Sequence, residues 1–453
     1  MMTERLAIKP DATGSDFAAL TETCFAQGPE AMLEALAESL AARRRWHALF
    51  DLRMVQARQR LGLSVAGAVG LLDEVTRGRF DELSLAACRE VGWPLLAEGQ
   101  VAAAWMYLRA AAAPDEVAAR LATLAARVAP AAEAGGPEGC QSDDQGDDRG
   151  DDQGDDQGDD QGDDEETQRL VQELVGVALW ESADPALGIT IVLRTQGTCN
   201  AVTAYEQAVS RLPGVRQAPA ARVLVEHLYA EVVRNLAADL TQRGLDTTQP
   251  LAAETPLVAL IVAADGLDDP SLHVDVSHLQ SVLRIARVCS DEPTLGRAWE
   301  LAVYACRLPA DVTYPGEPPF EAVGAASRLF YAAQLGRDVA EAVMFFRRAA
   351  VTADPLDSGT LPADTLVLLL HRLGRDAEAL QAAVDRPREG GPPSAMQSAG
   401  LLPSLVELAA SSGQWEMLLE ACRRHDDEIT FAAALAARAS AQNEPQGRRQ
   451  PQA

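Results

Sequence analysis

"REVGWPLLAEGQVAAAWMYLRAAAAP", residues 89–114, reads as two short helices folded back on each other. After Gly92, the residues Leu95, Gly99, Ala104, Leu108, Ala111 and Pro114 follow at gaps of three, four, five, four, three and three. Gaps of three and four keep side chains on one face of a helix. The five-residue step begins at Gly99, a residue suited to closing the first helix. Small residues let the two helices approach, and the larger apolar residues are left to face the next pair.

Similar spacing returns later. "LVLLLHRLGRDAEALQAAVDRP", residues 366–387, places Leu366, Leu370, Gly374, Ala379 and Ala383 at the same offsets. "LVELAASSGQWEMLLEACRR", residues 405–424, does so with Leu405, Ala409, Gly413, Leu418 and Cys422, Leu418 standing where a small residue is expected. "RLFYAAQLGRDVAEAVMFFRRAA", residues 328–350, has Gly336 and Ala342 one residue too far apart, then Phe346 and Ala349. "NAVTAYEQAVSRLP" and "RAWELAVYACRLP" supply the second half of such a unit through Ala201, Tyr205 and Ala208, and through Ala298, Ala302 and Ala305.

These stretches resemble tetratricopeptide repeats, each an antiparallel helix pair, in a degenerate and unevenly spaced form. The resemblance implies an all-α fold of stacked pairs, an α-solenoid with a concave groove for extended peptides or helices of partner proteins. Unrelated antiparallel helix pairs would build the same kind of stack. In the family the first helix of each pair lines the groove, so the matching positions here are Glu90, Trp93, His371, Arg372, Glu407 and Ser411.

Composition agrees with helices. Aromatics make up 5% and apolar residues 47%, mostly Ala and Leu, a mixture better suited to close helix packing than to β-sheets. The net charge of -28 is uneven: residues 143–166 hold twelve Asp, Glu165, Glu166 and a single Arg149. No long basic run occurs, which argues against nucleic acid and anionic membranes as partners. Lys9 is the one lysine, so the chain lacks the placed lysine of P-loops, kinases and Schiff-base enzymes. Seven scattered cysteines include no close pair for zinc or dithiol chemistry. The amino-terminal text lacks the apolar core of a signal peptide, and "PLVALIVAA" at 256–264 is too short to span a bilayer. A cytoplasmic protein is the expectation.

The repeat Asp-Asp-Gln-Gly within 141–166 has no apolar residue to bury. Its glycines raise the entropy lost on ordering, and its register does not fit a calcium-binding EF-hand loop. It is expected to be a disordered tether. The expected organisation is a leader over 1–14, a helical domain over 15–128, an acidic linker over 129–166, a helical-repeat domain over 167–438 and a tail over 439–453.

The text most suggestive of chemistry is "HVDVSH", in which His273, Asp275 and His278 could form a metal set. Asp275 or Ser277 could equally cap the helix that follows. "EHLYAE", with Glu226, His227 and Glu231, lacks the two histidines four apart of a zinc helix. The proline-rich loop 308–321 offers Tyr314, Glu317, Phe320 and Glu321 as ligand contacts. The leading expectation is a non-enzymatic scaffold or adaptor without a cofactor. The alternative is a metal-dependent or small-molecule enzyme around His273, Asp275 and His278.

Overall fold

The structure is a computed structural model and describes residues 17–64, 72–134, 160–243, 257–264, 273–309, 312, 316, 318–386, 394–398 and 400–443. Among the described residues all regular secondary structure is helical, with no strand, and the helices pack in pairs. By its contacts the chain divides into two units, Met1–Asp184 and Pro185–Ala453.

The first unit contains α1 (Phe17–Gln27), α2 (Pro29–Ala42), α3 (Trp46–Arg60), α4 (Glu74–Ala97), α5 (Val101–Ala111), α6 (Pro114–Ala134) and α7 (Asp160–Val175), followed by a π-helical turn at Gly176–Trp180. Pro29 occupies the first turn of α2, where its missing N–H would have no helical partner anyway. Asp73 caps α4 by accepting from the Thr76 amide at 3.0 Å. A core forms where Ala37 and Leu40 of α2 meet Leu49 and Leu52 of α3 and Val91 of α4.

The opening pair is built as its spacing predicts, with α4 and α5 joined across Glu98–Gln100. Gly99 turns with φ +79°, a conformation that strains any residue bearing a Cβ. Gly92 is buried, and a Cβ there would lie 2.6 Å from Leu108 Cγ. Its lack of a side chain is what lets α5 come so near.

The ends of the expected 129–166 tether are helical, since α6 reaches Ala134 and α7 begins at Asp160. Alanine-rich sequence favours the first extension, and acidic residues are favoured at the start of a helix such as the second. Residues 135–159, which carry most of the acidic repeat, lie outside the described residues, as do residues 1–16 and 444–453. Leu174, Val177 and Leu179 are buried in the first unit, where α7 packs on α5 and α6.

The second unit contains α8 (Pro185–Ala204), α9 (Gly214–Gln242), α10 (Leu257–Ala263), α11 (Val276–Ile285), α12 (Glu292–Ala305), α13 (Val323–Gln334), α14 (Val339–Thr352), α15 (Pro355–Ser358), α16 (Leu361–Arg372), α17 (Asp376–Val384), α18 (Ala395–Ser398), α19 (Leu405–Ser412), α20 (Trp415–His425) and α21 (Glu428–Asn443). Helix α9 buries Leu224, Leu228, Val232, Leu236 and Leu240 along its length, and α8, α10, α11 and α12 pack around it. Beyond α12, helices pack in succession from α13 to α14, α14 to α16, α16 to α17 and α17 to α19. No helix among the described residues is long and apolar enough to cross a membrane.

Candidate functional site

A groove of about 680 Å³ opens in the second unit, walled by α14 and α17, with α16 as its floor. Helix α14 turns Ala342, Val343 and Phe346 inward, so Arg347 and Val351 fall beside the opening. On α17 the buried residues are Ala379, Leu380 and Val384. The 3.6-residue period therefore places Glu378, Gln381, Ala382 and Asp385 on the facing wall. Ala363, Leu366 and Leu370 of α16 form the floor, and Ala353 and Pro355 from the α14–α16 connection line one end.

Charge at the rim is mostly satisfied. Arg347 of α14 pairs with Glu378 of α17, which also receives Arg375 Nε at 2.6 Å and Nη2 at 2.7 Å. Those hydrogen bonds, Arg375's foremost, hold the Glu378 carboxyl below its ordinary range. Asp385 accepts from Gln381 at 2.7 Å.

The floor helix is anchored at its N-terminal end. Fully buried Asp364 accepts from Thr360 at 2.7 Å and from Ser394 at 2.6 Å through Oδ2. Its Oδ1 lies 2.8 Å from Arg386 Nη2, yet that contact is too poorly directed to count as a hydrogen bond. We treat it as an ion pair, because the charges are adjacent and the carboxylate has no access to solvent.

This groove lies away from the helix positions that the repeat resemblance selects. Helix α16 is buried on every side from Pro362 to Leu370, and α13 buries eight of its residues. Of α16 it is the floor residues that meet the opening, and its walls are the second helices of two pairs, α14 and α17. The residues at its walls were not singled out from the sequence. Leu366 and Leu370 were noted only as repeat positions.

Glu90 accepts both Arg53 Nε at 2.8 Å and Nη2 at 2.7 Å, tying α4 to α3. Arg53 also reaches Glu34 of α2 at 2.9 Å. The bond to Glu90 is the main reason the Arg53 pKa is raised. Trp93 is half-buried on α4. Phe320 is 4% exposed against Phe345 and Phe346, so it is core. Tyr314 and Glu317 lie outside the described residues. Arg372 donates to the Cys289 carbonyl and to Gln334, each at 2.9 Å, and burial lowers its pKa.

His371 and Ser411 do come together. His371 hydrogen-bonds Asp376 at 2.8 Å, and the Ser411 hydroxyl, which donates to the Leu408 carbonyl at 3.2 Å, sits close enough to influence the same carboxyl. Burial pushes the Asp376 carboxyl up, but bonds from Ser411 and His371 outweigh it and leave it below its usual value. Glu407 closes a reciprocal cap with Ser404 at the start of α19.

The "HVDVSH" residues part ways. His273 is buried, its Nδ1 3.1 Å from the Tyr304 hydroxyl and its Nε2 3.2 Å from Asp239 Oδ2. Asp275 caps α11 by accepting from the Ser277 amide at 2.7 Å, and His278 is half-buried on the helix it caps. Among the described residues no group of three or more His, Cys, Asp and Glu is arranged to hold a metal. Elsewhere, His227 lies 3.0 Å from the Thr198 hydroxyl and Glu226 pairs with Arg297 at 2.8 Å.

No family model, curated protein or solved structure matches this chain. The resemblance to tetratricopeptide repeats therefore rests on the chain's own spacing.

Proposed function

We propose that this chain is a non-enzymatic adaptor of degenerate tetratricopeptide-like helix pairs, and that its α14–α17 groove docks a helical segment of another polypeptide. The observation that carries this reading is the lining of the groove. Eight of its twelve residues are apolar, and one of its two carboxylates, Glu378, is held by two arginines. Such a surface suits an amphipathic helix laid into a cleft, where apolar side chains supply affinity and rim charges supply register. The left-handed turns at Gly374 and Gly413, with φ +70° and +72°, support the repeat reading, because each closes the first helix of a pair.

The test is a photo-crosslinking amino acid installed at Ala382 in the living cell, with Val75 as an exposed control in the first unit. The expected result is a cross-linked polypeptide at Ala382 that Val75 does not capture. Identical products at both positions, or no polypeptide at Ala382, would remove the reading.

A further inference from the structure

The outer face of α14 carries Met344, Arg348 and Val351, spaced i, i+4 and i+7 and therefore aligned along one side of the helix. Met344 is 67% exposed, Val351 is 80% exposed, and Arg348 is exposed between them. Leu356, just beyond on α15, is 81% exposed. This is an apolar stripe interrupted by one cation, and no helix among the described residues covers it.

The adjoining groove asks for that pattern. Its floor is Leu366 and Leu370, and its α17 wall ends in Asp385. Among the described residues Asp385 has no basic partner and Arg348 has no acidic one. Arg347 and Glu378 already neutralise each other across the opening. The outer face of α14 is thus left with an unmatched positive charge at Arg348, and the α17 wall of the groove with an unmatched negative charge at Asp385.

We infer that the polypeptide docked in the groove is a second copy of this chain, related by a two-fold axis. The inference rests on the groove reading above. In that arrangement α14 of each copy lies in the groove of the other, ridge into groove. Arg348 of each copy meets Asp385 of the other, so the ion pair forms twice, as an isologous interface requires. Met344, Val351 and Leu356 leave solvent together.

The test uses the full chain in light scattering after size exclusion, loaded at about 50 µM, which populates any dimer of micromolar affinity or better. The expected mass is twice the 48.2 kDa of one chain. Arg348→Glu and Asp385→Arg each place like charges at both sites, and each should raise the dissociation constant about tenfold or more. The two changes together restore opposite charges and should restore the dimer, with circular dichroism confirming that every variant stays folded. A monomeric wild type, or a dimer indifferent to both reversals, overturns the inference.

The cross-linker at Ala382 separates the two readings. An intermolecular link to peptides of α14 supports the second copy. A link to a different polypeptide sinks the second copy and leaves the groove reading standing. No link to any polypeptide sinks both.

Discussion

His273 hydrogen-bonds through both ring nitrogens, to Tyr304 and to Asp239, and its backbone carbonyl accepts from Asn235 at 2.8 Å. It joins the segment before α11 to α9 and α12. His273→Ala would leave the Tyr304 hydroxyl with only the residue 273 amide, at 3.3 Å, and remove a side-chain partner from Asp239, a loss of about 1–3 kcal/mol. Denaturant unfolding should show it, and an unchanged midpoint would contradict the structural role. The pH dependence should change as well. Burial raises the Asp239 carboxyl, but hydrogen bonds from Arg243 and His273 overcome that and leave it below its ordinary value of 3.8. A carboxylate depressed on folding contributes stability above its unfolded value and loses it as pH falls through the folded one. The wild type should therefore lose stability below about pH 4, and His273→Ala should show a shallower slope in that window. Equal slopes would mean that His273 does not hold Asp239.

Two glycines in α4 test what its pairing requires. Gly78 meets nothing within 4 Å, so an added Cβ would enter open space. Gly78→Ala should stabilise the first unit by about 0.5–1 kcal/mol through helix propensity. A Cβ at Gly92 would lie 2.6 Å from Leu108 Cγ, and Gly92→Ala should instead destabilise by about 1–3 kcal/mol as α4 and α5 are forced apart. Thermal melts of the two variants moving in the same direction would contradict the packing described. The spacing around Gly92 made this contact legible, because a helix period says which residues share a face. The period could not reveal the groove. That depends on how far α14 and α17 stand apart over α16, and on the α14–α16 connection, whose residues line one end of it.

Across the whole molecule the first unit closes well after the acidic repeat, with Leu174, Val177 and Leu179 among its buried residues. A fragment ending at Asp184 should unfold cooperatively, whereas one ending at Ala134 should melt earlier and less sharply, because it exposes the residues that α7 covers on α5 and α6. Indistinguishable melts would show that α7 adds nothing to the unit. The helical class, the turns at Gly99, Gly374 and Gly413 and a helix start at Asp275 or Ser277 were legible in the sequence, because each follows from period and local backbone chemistry. Tertiary packing settled that α16 is buried from Pro362 to Leu370, that Arg372 is tied to Cys289 and Gln334, that Phe320 is interior, and that the groove opens between α14 and α17. Those outcomes depend on which helices become neighbours, and a local period specifies a face without naming what covers it.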